Sequence, residues 1–264
     1  MANGYSLHIG LPRVSPDLPE AAEPLAGAEN DANEMETIAQ QQGFQAKKMI
    51  AEEATADNIL TYIREKTAIL QPGDIFLVTF SGHGREGNGL RSKKANAWLA
   101  YDRMVDRTEL HSVFGLFKKG VRIVGISDCC FSQNILPPLL KQIRFLQEEV
   151  GLSVVNKLVP ATALDVRSNS TKKNSTTKPG DNRKLHATAI IFSSSRANAL
   201  SIFLTKHGLF TQKLLAVWDN GAFAGSYHDF FLAIRYAMIR IQAPTYEVRG
   251  PRDPKFEKER PFTI

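Results

Sequence analysis

Ile75-Phe76-Leu77-Val78-Thr79-Phe80 runs without interruption into Ser81-Gly82-His83-Gly84. A short, continuous apolar run with no polar alternation is how a strand reads when both of its faces are covered. Pro72-Gly73-Asp74 just before it is a turn signal. Val121-Arg122-Ile123-Val124-Gly125-Ile126 repeats the pattern and leads into Ser127-Asp128-Cys129-Cys130-Phe131-Ser132. Ala187-Thr188-Ala189-Ile190-Ile191-Phe192 is a third such run, and Tyr5-Ser6-Leu7-His8-Ile9 reads as the first strand of the chain.

Helical patterns separate these runs. Asn30 to Gln42 places Ala32, Met35, Ile38 and Ala39 on one face and stops at Gly43. Thr55 is a helix cap ahead of an inward stripe of Ala56, Ile59, Leu60, Ile63, Thr67 and Leu70. Two later helices are expected over Gly208 to Asn220 and Tyr227 to Ile241, the second halted by Pro244. Strands alternating with helices predict an α/β fold, a doubly wound, mostly parallel sheet flanked by helices.

The 264 residues suit one large α/β domain, and 43% hydrophobic residues suffice for a core without disulfide or metal support. Met1 to Gly10 has neither a basic start nor a long apolar run, so no signal peptide is expected, and no stretch is long enough to span a membrane. The expected location is cytoplasmic, with no membrane partner. The net charge of +6 is concentrated: six basic residues against one acid (Asp181) lie between Arg167 and Lys184, giving that segment +5. A local basic segment in a nearly neutral chain argues against a nucleic-acid docking face. From about Asp165 to Lys184 the chain is rich in Ser, Thr, Asn and Lys and has little to bury, which predicts an exposed connection.

Ligands of open parallel sheets bind beyond the carboxyl ends of the strands. Two central strands lead there into His83 and into the neighbouring pair Cys129-Cys130, the only cysteines. Adjacent cysteines are badly placed to bridge each other, and no CxxC spacing suits zinc. A thiol near neutral pH is only a few per cent thiolate and gains nucleophilicity from an adjacent imidazole. Gly84 beside the histidine allows close backbone approach, so its amide and that of Cys130 are candidate oxyanion donors.

Together these segments resemble the caspase/metacaspase peptidases. Phe80-Ser81-Gly82-His83-Gly84 is similar to that family's Y-S-G-H-G, and Ser127-Asp128-Cys129-Cys130-Phe131-Ser132 to its D-S-C-H-S-G. Gly27-Ala28-Glu29-Asn30-Asp31-Ala32 resembles G-x-x-N-D-A, Gly208-Leu209-Phe210-Thr211 resembles G-x-F-T, and Gln242-Ala243-Pro244 with Arg260-Pro261-Phe262 resembles the closing Q-T-P and P-F. His83 and Cys130 stand 47 positions apart, close to the roughly 50 typical of caspases. The resemblance covers essentially the whole chain. It implies a caspase-like domain over 1–264: a His/Cys-bearing part (1–164), a basic processing loop (165–186) and a C-terminal part (187–264).

The resemblance further implies a cysteine endopeptidase acting on a protein or peptide, with an activating protein partner also in view. Cys130 would be the nucleophile and His83 the base. Asp31 and Asp128, with Ser81, would line a pocket for Arg or Lys at P1, as paired carboxylates suit a guanidinium. Arg167, Lys172, Lys173, Lys178, Arg183 and Lys184 become candidates for self-processing. No cofactor or metal site is expected, although Asp102, Asp106 and Glu109 leave calcium as the one ion to consider.

Simpler readings stand beside these. Asp31 suits a first-turn helix acid and Asp128 a cap or turn residue. Cys129 suits a buried small hydrophobe facing opposite to Cys130. His8, His111, His186, His207 and His228 show no ligand spacing. Phe131 and Gln133 replace the family's histidine and glycine, and Arg196 stands where an acid is common. These departures keep open a catalytically weak or inactive interaction module. A flavodoxin-like binding domain would need a phosphate loop that Gly10-Leu11-Pro12-Arg13 does not provide.

Overall fold

The computed structural model describes residues 2–18, 24–86, 96–130, 185–194, 206–238 and 243–264, apart from the side chains of Arg85, Glu86, Asn96, Ala97 and Cys130. The stretch Asp165 to Lys184, with all six processing candidates (Arg167, Lys172, Lys173, Lys178, Arg183 and Lys184), lies outside the described residues, as do Phe131, Gln133 and Arg196.

The described strands are β1 (Gly4–Gly10), β2 (Gln45–Ile50), β3 (Ile75–Glu86), β4 (Asn96–Leu99), β5 (Met104–Val105), β6 (Arg122–Cys130), β7 (Thr188–Ser193) and β8 (Thr245–Arg249). The helices are α1 (Gly27–Gln41), α2 (Ala56–Ile69), α3 (Arg107–Phe114), α4 (Leu209–Trp218), α5 (Tyr227–Ala237) and α6 (Pro254–Lys258). The sheet runs β2-β1-β3-β6-β7-β8, with β4 and β5 forming a hairpin off β3. Along this path pairing is parallel from β2 through β7 and β8 enters antiparallel, as do the two strands of the hairpin. This is the mostly parallel α/β sheet that the alternation of patterns predicts.

Both faces of the sheet are covered. Leu7, Ile9, Phe76, Val78 and Phe80 join Ile59, Leu60 and Ile63 of α2 and Val113 of α3 in one core. On the opposite face α1 lies against β1, where a Cβ on Gly10 would come 2.6 Å from Ala28 O and 3.0 Å from Ala32 Cβ. A third group centres on Phe192, whose ring meets Tyr227, Phe230 and Phe231 of α5. Burying such aromatic and aliphatic surface is the main favourable term in folding.

Two differences from the sequence reading bear on the site. β3 does not stop at Phe80 but continues through His83 to Glu86, because β4 pairs antiparallel with its far end, Gly84 opposite Trp98. Helix α1 starts at Gly27, three residues before the expected Asn30. Asp31 is therefore its fifth residue, and the first-turn acid is Glu29. The Thr55 cap is present, with Thr55 Oγ1 accepting from Asn58 N (3.2 Å).

Candidate active site

Parallel pairing of β3 with β6 puts the two motifs in register. His83 is the partner of Cys130, Gly82 of Cys129, and Ser81 of Asp128. Backbones of paired strands lie about 4.8 Å apart, so the histidine and cysteine positions are immediate neighbours on adjacent strands. His83 and Gly84 are half-buried at this rim. The Cys130 thiol lies outside the described atoms. Cys129 is 2% exposed and belongs to the main core, the placement expected for the second cysteine.

Trp98 fastens the end of β3. Its ring stacks on Phe80 at 4.7 Å and 2°, and its Nε1–H donates to Ser127 Oγ on β6 (3.1 Å). Ser127 Oγ in turn lies 3.1 Å from Cys129 Sγ. The indole therefore ties the His83-bearing strand to the Cys130-bearing strand, a link the sequence did not disclose.

Beside this pair, four segments converge on two acids. Asp31 (α1) and Asp128 (β6) are each 1% exposed. Ser81 Oγ donates to Asp31 Oδ2 (2.6 Å), and Gly208 N–H donates to the same carboxylate (3.1 and 3.3 Å). Thr211 donates to Asp128 Oδ2 through both its N–H (3.1 Å) and its Oγ1 (3.0 Å). Gly208, the N-cap of α4, has no side chain to accept from its own helix, so Asp128 serves that end from another element. The cap reading of Asp128 is thus correct as far as it goes. For Asp31 the first-turn reading is not, because its carboxylate is turned into the cluster.

The acids are close as well as buried. A Cβ at Gly208 would lie 2.2 Å from Asp128 Oδ2 and 3.0 Å from Asp31 Oδ2, so those oxygens are no more than about 5 Å apart. Burial, then the charge of Asp128, pushes the Asp31 carboxyl up to about 8 from 3.8, against the pull of its hydrogen bonds from Ser81 and Gly208. The positive end of α4 offsets part of this repulsion between the two carboxylates.

The structure brings Asp31, Ser81 and Asp128 together and adds His207, which the sequence reading left without a role. Its Nδ1 lies 3.0 Å from Asp31 Oδ1. The available signal was its place immediately before Gly208-Leu209-Phe210-Thr211. The candidate calcium acids are otherwise engaged: Asp102 accepts from Ala56 N, Asp106 caps α3, and Glu109 pairs with Arg103. Among the described residues no group of three potential ligands gathers around one point, and no helix is long and apolar enough to cross a membrane.

Comparison with known proteins agrees with this architecture. A crystal structure of a protein from Geobacter sulfurreducens superposes with a TM-score of 0.77 at 27% identity, over 99% of each chain. Metacaspase-5 from Trypanosoma brucei brucei is 31% identical over 90 residues, which is 31% of this chain and 18% of that protein's length. The family model described as Caspase domain matches residues 16–256. With its parallel sheet, its His and Cys positions in register and this match along most of its length, the chain belongs to the caspase-domain peptidase family.

Proposed function

We propose that the protein is a cysteine endopeptidase that cleaves after Arg or Lys. The observation that carries the reading is the His83–Cys130 register on adjacent strands, with the Asp31–Asp128 pair beside it. His83 takes the thiol proton, and the Cys130 sulfur attacks the scissile carbonyl. The backbone amides of Gly84 and Cys130 donate to the oxyanion as the tetrahedral species forms. Collapse breaks the C–N bond, the amine leaves with the proton from His83, and water then hydrolyses the thioester. A basic P1 side chain reaching Asp31 and Asp128 supplies the positive charge that favours ionisation of both carboxylates.

The test is a fluorogenic peptide panel with Arg, Lys or Asp at P1, assayed on the full chain and on Cys130→Ala. The expected result is cleavage after Arg and Lys that Cys130→Ala abolishes. Cleavage only after Asp would overturn the pocket assignment, and equal turnover by Cys130→Ala would overturn the peptidase. Self-processing between Arg167 and Lys184 belongs to the same reading. Mass spectrometry should find fragments ending at those residues in the wild type and none in Cys130→Ala.

A further inference from the structure

His207 is fixed against Asp31 from several directions. Asn30 Nδ2 on α1 donates to Lys206 O (2.9 Å). Gly27 lets the first turn of α1 lie on the His207 backbone, where a Cβ would come 2.9 Å from its nitrogen. The next residue, Gly208, donates its own N–H to Asp31. His207 is 8% exposed, and burial lowers its basicity below that of an ordinary histidine. A neutral imidazole carries one N–H. Placed on Nδ1, that proton meets Asp31 Oδ1 at 3.0 Å. A neutral Asp31 could return the bond only from Oδ1, which also faces Gly208 N–H. The charge-assisted N–H···O⁻ bond is the stronger of the two.

We propose that His207 is a positioning residue of the P1 pocket, which donates from Nδ1 to Asp31 and so favours its ionised form and orients it for an incoming basic side chain. The inference rests on the reading that Asp31 and Asp128 recognise a basic P1 group. The surrounding groups set the balance. Asp128 from β6 opposes ionisation of Asp31, while Ser81 and the Gly208 amide at the start of α4 favour it. Glu34 on α1 and Lys206 act on His207 in opposite senses. Losing one donor to the ionised form raises the Asp31 pKa. At neutral pH a smaller fraction of the protein is then ready to bind a cation.

The experiment is calorimetric titration with benzamidine, a guanidinium-like probe, between pH 6 and 9.5. The full chain carrying Cys130→Ala is compared with and without His207→Ala or His207→Asn. His207→Ala is expected to weaken binding about tenfold at pH 7, one unit of pKa, and to recover to within about twofold at pH 9.5, where Asp31 ionises unaided. His207→Asn, whose amide N–H falls near the Nδ1 position, should bind like the parent throughout. The inference is overturned if His207→Ala binds like the parent at pH 7, if it loses the same factor at every pH, as a collapsed pocket would, or if His207→Asn gives no rescue. Failure of the parent itself to bind the probe at any pH is a different result. It removes the basic-P1 reading, and the role of His207 with it.

Discussion

Gly208 lies so close to Asp128 that a Cβ on it would come 2.2 Å from the carboxylate Oδ2. Asp128 cannot retreat without giving up both hydrogen bonds from Thr211. Gly208→Ala should therefore destabilise the fold by about 1–3 kcal/mol and lower kcat/KM most for peptides with basic P1. Urea unfolding and the peptide panel check this. An unchanged unfolding midpoint would show that the cluster has slack.

Asp31 predicts an unusual dependence of stability on pH. Its folded pKa of about 8 stands above the ordinary 3.8, so between those values the folded protein holds a proton that the unfolded chain has released. Stability then falls as pH rises from about 4 toward 8. Asp31→Asn removes this contribution, so its Tm advantage over the wild type should widen across that range and be greatest above pH 8. Calorimetry at pH 5 and 8.5 measures it, and a constant offset at both would be contrary to expectation.

His8 acts in the opposite sense at lower pH. It is buried between β1 and β3, with Nδ1 2.9 Å from Thr79 Oγ1 and Nε2 2.9 Å from Ser6 Oγ. Burial, then the charge of Lys48, holds its pKa down at about 3 against 6.5. Between these values the unfolded chain binds a proton that the folded one refuses, so stability is lost as pH falls from 6.5 toward 3. The slope from this one group is about 1.4 kcal/mol per pH unit. His8→Gln should flatten that limb in urea titrations from pH 7 to 4, and a limb of unchanged steepness would place the acid sensitivity elsewhere.

Trp98 separates packing from hydrogen bonding at the strand ends. Trp98→Phe keeps the stack on Phe80 and loses the donor to Ser127, at a cost of about 1 kcal/mol. Trp98→Ala loses both, about 2–3 kcal/mol for a half-buried ring. Since Trp98 is the register partner of Gly84, kcat should fall more in Trp98→Ala than in Trp98→Phe. Equal stability of the two variants would mean that the stack contributes little.

What the sequence disclosed follows from how each element is held. The strands β3, β6 and β7 are covered on both faces and read as continuous apolar runs. The strands β2, with Gln45, Lys47 and Lys48, and β8, with Glu247 and Arg249, flank the sheet and are defined by backbone pairing more than by composition. They gave no pattern to read. Helix α3 did carry a signal in its sequence, since Asp106 and Glu109 stand three apart and form a capping box. At the site, Asp31, Ser81 and Asp128 were legible through resemblance to family motifs. His207 and Trp98 act through contacts between segments distant in sequence, which local periodicity does not reveal.

The span between Asp31 and His207 is 176 residues. A chain emerging from the ribosome therefore carries His83 and Cys130 well before it carries the amides and the imidazole that surround Asp31. Up to that moment the two acids lack the N-terminus of α4. A truncated product ending before Gly208 would hold the His83 and Cys130 positions in register without the amides that bind the two buried acids.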